Sequence, residues 1–548
     1  MVLTIGLTLD LLSFIGWSET MWLTPLTALV LVGAAIAAFA DLRAGVIAVM
    51  LELFWGSHGH LLHVPVGGLD VSLRMGIFAI VFTATVWHLR IPNTRRALWH
   101  AMRTHPAWWP ALVFLATLAL GGILGVLRHP FDRVFFDMNA WGFLALAPAF
   151  LIAAARMTRM DRADDADTRI GSTWSSVSAR GGSASGGKFQ PAPTGASGVS
   201  DVVLAGALYL ILRSYVLLFF FSHDLGGTWM PLYQWVRDTR LGEVTIFPGA
   251  FPRIFLPSMV MLFPAVLLAG MRMTSNFSPS HREGEREGVG EGRWLLSASV
   301  FGGGVAVLLL SLSRSFWLAG IALLVVGLVW AIVSALRQRI HGSPADLSPF
   351  RTKRRKVFRD VLVLGGASVV AIGLALAVVR LPYPKPLTTA GIGSTLLARL
   401  SADAAVSNRW QQIGPLRDAI MRHPILGNGF GTAVTYETKD PRTLAAYPDG
   451  KYTTTAFEWG YLDDLLERGI VGLLAELWLV GALIWYGLRR GGEITALAVG
   501  LFAVVIIHVT SPYFNHPLGI GVALWLFARI AQSAEMHATG TMRKPAHV

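Results

Sequence analysis

Apolar runs long enough to cross a lipid bilayer recur from one end of this chain to the other. Met21–Ala40, Trp108–Leu127, Asp201–Phe221, Phe316–Leu336 and Val361–Val379 are examples. Each comes close to the ~20 residues that span a hydrocarbon core as a helix. Lipid offers no hydrogen bonds, so only helices and closed barrels can cross it. These runs are continuously apolar rather than alternating, which selects helices. Arg43–Phe54, Val71–Leu89, Val134–Ala155, Ile254–Gly270, Trp294–Leu312, Tyr461–Leu488, Ile494–Val509 and Leu518–Ile530 complete the windows. With Val2–Gly16 as an optional extra, the expectation is an all-α integral membrane protein, a multi-pass bundle of ~13–14 helices. Arg43–Phe54 is short and contains Glu52, which suggests a tilted or re-entrant segment. Composition agrees: 53% of residues are hydrophobic and 14% charged, against ~25% charged in soluble domains.

The net charge of +13 is distributed in a telling way. Arg90, Arg95, Arg96 and Arg103 share one short connection, and Arg337, Arg339, Arg351, Lys353, Arg354, Arg355, Lys356 and Arg359 share another. Basic residues gathered between apolar spans follow the positive-inside rule. That accounts for the charge without nucleic acid, and no nucleic-acid partner is expected. Both basic connections and the Arg543-Lys544 tail are then cytoplasmic, while Ser222–Arg253 and the segment from Arg380 to Tyr461 lie outside. Arg128 and Arg133 fall on the outer side, against the rule. The chain has no cysteine, which excludes disulfides, thiolate metal sites and a cysteine nucleophile. The N-terminus lacks the basic start of a cleavable signal, and Asp10 interrupts its apolar run.

Five regions follow. Residues 1–155 hold the first helices, and 156–200 is a Ser/Gly/Ala/Arg-rich stretch with the composition of a disordered cytoplasmic linker. Residues 201–380 hold the central helices, 381–460 a long outer loop, and 461–548 the last helices and a cytoplasmic tail. His281–Glu291 reads as a second solvated loop. The outer loop carries Trp410, Tyr436, Tyr447, Tyr452, Phe457 and Trp459, and long loops of such content are typically functional. Within it, Pro415 suits a first helical position. Ile413, Leu416 and Ile420 follow at helical spacing, predicting a short amphipathic helix on the membrane surface. Gly427-Asn428-Gly429 then marks either a tight turn or a close approach of backbone to a ligand.

Charged groups within or capping spans are costly and prompt a functional hypothesis. Arg213 lies inside an apolar span, Arg314 between two apolar runs at their outer ends, Arg253 at the start of a span and Arg409 in the outer loop. Guanidinium forks match phosphate oxygens, although each arginine can also snorkel to the interface. Asp463, Asp464 and Glu467 open the Tyr461–Leu488 span. They either complement the helix dipole or bind a cation, and adjacent helical carboxylates point apart. His58, His60 and His63, with Asp70 nearby, have imidazole chemistry suited to zinc or copper. Their spacing matches no strong metal motif, and no metal or other cofactor is expected. His508 and His516 flank an outer turn, Ser511-Pro512-Tyr513-Phe514-Asn515.

One series of residues is more specific. Arg409-Trp410 is followed by His423-Pro424-Ile425-Leu426-Gly427-Asn428-Gly429-Phe430-Gly431-Thr432, then by Tyr461-Leu462-Asp463-Asp464-Leu465-Leu466-Glu467-Arg468-Gly469-Ile470-Val471-Gly472-Leu473. This resembles the C-terminal loop of the O-antigen ligase and O-antigen polymerase superfamily, membrane enzymes that move lipid-pyrophosphate-linked glycans on the outer face of the bacterial inner membrane. The resemblance covers about the last 300 residues in organisation. It implies a metal-independent, inverting transfer of a glycan from undecaprenyl pyrophosphate to a hydroxyl acceptor. That acceptor is a lipid-linked repeat unit in a polymerase, or a lipid A-core sugar or other final acceptor in a ligase. Membrane lipids are the other expected partners.

By the same resemblance, Arg314 and Glu458 are the expected catalytic residues. Arg314 holds the pyrophosphate. Glu458 stands where the family commonly has a histidine and takes the acceptor proton; its other reading is a helix-terminal carboxylate. Arg213, Arg253, Arg409, His423, Asn515 and His516 are the expected substrate-binding residues. The competing functional class is a polytopic transporter of an anionic or sugar-containing substrate, for which Arg213 would serve.

Overall fold

The computed structural model describes residues 1–66, 69–156, 196–245, 251–275, 287–341, 347–387, 404–438 and 441–538. The protein is an all-α, multi-pass membrane bundle. Among the described residues ten helices are long and apolar enough to cross a bilayer, and a bent pair, Leu73–His88 with Pro92–Thr104, makes an eleventh candidate. Val2–Ser18 and Gly492–His508 are shorter apolar helices. The linker read at 156–200 lies mostly outside the described residues, as do parts of His281–Glu291 and of the basic segment 337–359.

The core forms where helices bury every face. Leu42–Trp55 is too short to span comfortably, and instead it is almost wholly enclosed. Asp41 starts it by accepting the Arg43 amide at 3.1 Å, an N-cap worth ~1 kcal/mol. Its Leu51 and Phe54 lie against Gly206, and its Leu53 against Gly521. Gly302, Gly303 and Gly304 let the Glu287–Leu310 helix touch Ala367, Ile211 and Val266 on three neighbouring helices. Small residues are what permit such approach in lipid, where apolar helices gain little from merely meeting. By contrast, Leu324, Leu328 and Trp330 on Arg314–His341, and Val369 and Val370 on Leu347–Val379, stay exposed. These two helices face lipid.

Two arginines inside the bundle are paired with carboxylates, as burial requires. Arg213 meets Asp10 at 2.5 Å and also donates to the Trp55 carbonyl. Arg74 meets Glu52 at 2.7 Å and donates to the Ser57 carbonyl. Glu52, the residue that made Arg43–Phe54 look re-entrant, is therefore one half of an internal ion pair.

The bundle has two chemically different ends. At one, Glu493 accepts from Ser200, Arg272 and Arg529, near the termini of the helices that lead into the basic segments. At the other end lie three β-hairpins: His63–Val66 with Leu69–Ser72, Glu243–Thr245 with Arg253–Phe255, and Val434–Glu437 with Lys451–Thr454. The backbone of Ser222 and Asp224 bonds to Leu387 and Lys385, tying two outer connections together.

Two expectations are corrected in detail. The helix of the long loop runs Ala404–Ile420 with Pro415 inside it, so Pro415 does not start it. Proline removes one backbone donor, and packing of Leu416, Ala419 and Ile420 against Val434, Phe457 and Leu466 holds the helix regardless. Its apolar face rests on protein instead of on the membrane surface. The basic connection at 90–104 is itself helical, Pro92–Thr104, bent by 108° from the span before it.

Candidate functional site

The Gly460–Arg490 helix breaks at Gly469, where φ is 61° and ψ −169°. That region is essentially restricted to glycine. The break lies nine residues from the helix start, about 13 Å along the axis at 1.5 Å per residue, and it interrupts the ladder among buried residues. Freed backbone groups there must find partners. The 424–431 loop supplies them. Ile470 N–H donates to Pro424 O at 2.9 Å and Val471 N–H to Ile425 O at 3.2 Å. In the other direction, Asn428 N–H donates to Leu466 O at 2.8 Å and Gly429 N–H to Glu467 O at 2.9 Å. The Asn428 amide also donates to Ala419 O and Leu466 O.

A side chain at Gly427 would strike the Glu467 carbonyl, and one at Gly429 the backbone of Gly125. Both glycines have positive φ. The close approach anticipated for this turn is an approach to the protein's own helices. Arg128 clamps the loop through Gly427 O at 3.0 Å, and His129 reaches Asn428 O at 3.2 Å and Thr432 Oγ1 at 3.0 Å. The two outer-side basic residues at 128 and 133 that broke the charge rule thus have different fates: Arg128 is a loop anchor, while Arg133 is exposed.

Around the break sits a cluster of carboxyl groups. Asp463, Asp464, Glu467 and Glu476 are all buried. Arg468, fully buried, bridges Asp464 and Glu476, the latter at 2.7 Å, and lies 4.8 Å from the Trp141 ring centroid. His508 accepts the Phe514 amide on Nδ1 at 3.1 Å, so its Nε2 carries the proton that it donates to Asp464 at 2.9 Å. Asp137, whose Oδ2 accepts the Gly431 amide at 2.6 Å, lies beside Glu467. Asp463 accepts from the Asn515 amide at 2.9 Å, and its Oδ1 has no partner among the described residues. Asp464, Glu476 and His508 could hold a metal by spacing, their ligand atoms lying within 4.8 Å of one another. The Arg468 guanidinium already occupies that role, so the cation here is a side chain.

The Ser511–His516 turn draws other residues to the same end. Ser511 Oγ lies 3.4 Å from Ser315 Oγ, beside Arg314. Tyr513 donates to Pro257 O at 3.2 Å, and Phe316 packs between Tyr513 and Phe255. Arg253, on the same strand as Phe255, forms a 3.0 Å pair with Glu243, which is 68% exposed. Asn515 holds Asp463, and the His516 ring meets the His58 ring edge-on at 5.1 Å. The six residues of the turn span at most ~21 Å. Asn515 and His516 thus belong to this turn, Asp463 contacts it, and Arg314 and Arg253 stand one and two residues from Ser315 and Phe255 on the elements packed beside it.

The remaining expected residues stand elsewhere. Glu458 is half exposed and ion-paired with Arg409. The Trp459 indole donates to Arg409 O at 2.8 Å and its ring meets Trp410, making a small aromatic cap on the loop. His423 is exposed. Arg213 is spent on Asp10. His516 brings no positive charge: burial first, then the Arg74 guanidinium and His58, push its imidazole well below its ordinary value. Burial and the nearby Arg240 likewise push His60 down to about 4. Both rings are neutral at pH 7.

The sequence alone did not expose Arg468, Glu476, Asp137 or His129 as parts of this assembly. One signal was available: Asp464, Arg468 and Glu476 recur at four- and eight-residue steps, one helix face. No protein-family model and no curated protein matches this chain.

Proposed function

We propose that this protein is a membrane glycosyltransferase that moves a glycan from a polyprenyl pyrophosphate, undecaprenyl pyrophosphate in bacteria, to a hydroxyl acceptor at the outer face of the inner membrane. The observation that carries it is the Ser511–His516 turn. Arg314 and Arg253 stand on elements packed beside it, one and two residues from Ser315 and Phe255, and its Asn515 holds the buried Asp463 carboxyl group, whose Oδ1 has no partner among the described residues. That is the equipment of an inverting displacement in which the leaving group is a pyrophosphate.

The roles follow from charge. Arg314 and Arg253 receive the diphosphate; the solvent-exposed Glu243 is readily exchanged for a substrate anion. Asp463 takes the proton of the acceptor hydroxyl. The acceptor oxygen forms a bond to the anomeric carbon as the carbon–oxygen bond to pyrophosphate breaks, inverting the centre. Guanidiniums fixed in a partly dry site stabilise the charge that appears on the leaving phosphates. Asn515 holds Asp463 in place. In this reading Glu458 closes the aromatic cap through Arg409, and Arg213, paired with Asp10, and the neutral His516 are not called on to bind substrate. Asp463→Asn should therefore remove ~10²–10⁴-fold of the rate, with Glu458→Gln retaining most of it. Loss in Glu458→Gln with full activity in Asp463→Asn would return the base to the loop.

A broken apolar helix with buried carboxyl groups beside the break favours a second reading, transport of an anionic or sugar-containing substrate. Proteoliposomes separate the two: a transporter accumulates its substrate unchanged, while a transferase releases polyprenyl pyrophosphate.

A further inference from the structure

At the end opposite this site, a cavity of about 320 Å³ opens between the bent Pro92–Thr104 helix, the last turns of the Phe131–Arg156 span and the end of the Pro517–Ala538 helix. Its volume falls in the ~300–1,000 Å³ range of small-molecule sites. Its floor is small and apolar, built from Leu151 and several alanines. Its polar lining is Asn93, Arg96, His100, Thr104 and Gln532, with no carboxylate. Such a wall attracts an anion.

Gln532 makes the case specific. It is 2% exposed. Arg529 donates to its Oε1 at 2.7 Å. A guanidinium has only donors, so this bond fixes the amide orientation and leaves the NH₂ for something else. That Nε2 is buried and has no partner among the described residues. A buried donor without an acceptor costs ~1–3 kcal/mol, which an acceptor oxygen in the cavity would relieve.

Depth in the membrane identifies the source of that oxygen. Trp87, Trp99 and Trp109 are exposed at this level, and exposed indoles mark the headgroup region. Arg90 stacks on Trp87 at 4.6 Å and Arg103 on Trp99 at 4.4 Å. These stacked cations lie along the surface, whereas Arg96 is the arginine that lines the cavity.

The geometry points to a binding site for a phosphate group, that of an anionic lipid headgroup, held by Arg96 and the Gln532 amide over the alanine floor. The chemistry is that of charge-assisted recognition of phosphate oxygens. It concerns the end of the bundle away from the transfer site and stands or falls separately from the proposed reaction.

The test is native mass spectrometry of the full chain in a neutral detergent, titrated with phosphatidylglycerol, with phosphatidylcholine, and with inorganic phosphate. One tight phosphatidylglycerol per chain is expected. Arg96→Ala should weaken it at least about tenfold, the worth of a hydrogen bond to a charged group. Gln532→Met, which changes no charge, should also weaken it severalfold. Arg95→Ala, an equal charge loss one residue away and outside the lining, should change it by less than about threefold. Equal losses in Arg95→Ala and Arg96→Ala, or no effect of Gln532→Met in a folded protein, would mean diffuse attraction and overturn the site. Equal binding of phosphatidylcholine would remove the anionic selectivity, and saturation by inorganic phosphate without lipid preference would remove the lipid as ligand.

Discussion

Arg468 is the residue whose replacement most sharply separates a structural charge network from an accidental one. Its side chain is fully buried, and so are the carboxylates of Asp464 and Glu476 that it bridges. Arg468→Met keeps most of the packing volume against Trp141 and Phe114 but leaves two carboxylates uncompensated. Breaking a buried pair from one side costs about 3–5 kcal/mol. The triple variant Arg468→Met, Asp464→Asn, Glu476→Gln removes every charge of the network together. It keeps an acceptor for His508 Nε2, which bonds Asp464 at 2.9 Å. Replacing all members of a buried ionic group is commonly neutral or better, so the triple variant should recover most of the loss. Apparent melting temperature in a mild detergent, followed by tryptophan fluorescence, reads both. An Arg468→Met protein that melts with the wild type, or a triple variant less stable than the single one, would refute the view that Arg468 is the counter-ion of this cluster.

Three further outcomes follow from the structure. Gly469→Ala forces a side chain into glycine-only backbone space and against Ile425 and Gly427; at ~1–3 kcal/mol of strain alone, it should dislodge the 424–431 loop, and buried Thr432→Cys should then label with a thiol reagent in this cysteine-free chain, whereas unchanged protection would contradict the insertion. Buried His105, pushed down to about 4 chiefly by desolvation, is neutral in the fold, with Nδ1 accepting from Ala107 N–H and Nε2 facing Phe527 O; its contribution, ~3 kcal/mol for a change from ~6.5 to 4, is complete above pH ~6.5 and lost as pH falls toward 4, and His105→Gln should flatten that acid limb of the stability curve. Arg314→Ala should abolish transfer in a folded protein at a cost of ~3 kcal/mol of barrier, with Arg314→Lys rescuing poorly because lysine lacks the bidentate fork; full activity in Arg314→Ala would return this residue to the interface.

The spans were legible because length and apolarity are one-dimensional signals. Met21–Ala40, Trp108–Leu127 and Ile494–Val509 are, within two residues at each end, the helices Thr20–Ala40, Trp108–Arg128 and Gly492–His508. What was not legible depends on partners far away in sequence. Asp10 and Arg213 lie 203 residues apart, and each looked like an isolated charge. The break at Gly469 follows Glu467-Arg468 within a helical pattern, where a single glycine is ordinarily tolerated; only the inserted loop makes it necessary. For Asp463, Asp464 and Glu467 the sequence leaves open a helix-dipole feature or a cation site, with neighbouring carboxylates expected to diverge. They do diverge: Asp464 turns to Arg468 and His508, and Asp463 to Asn515. The glycine turn was recognised as a place of close approach, but what it approaches is set by Gly121 and Gly125 on a helix some 300 residues earlier.

The most direct measurement is turnover. Purified protein in detergent is supplied with lipid-pyrophosphate-linked oligosaccharide extracted from its own host, with and without a chelator, and the polyprenyl pyrophosphate released and the anomeric configuration of the product are recorded. The account predicts release at the same rate in both conditions, an inverted glycosidic linkage, and loss of both in Asp463→Asn. An unconsumed oligosaccharide, or turnover that persists undiminished in Asp463→Asn, would contradict it.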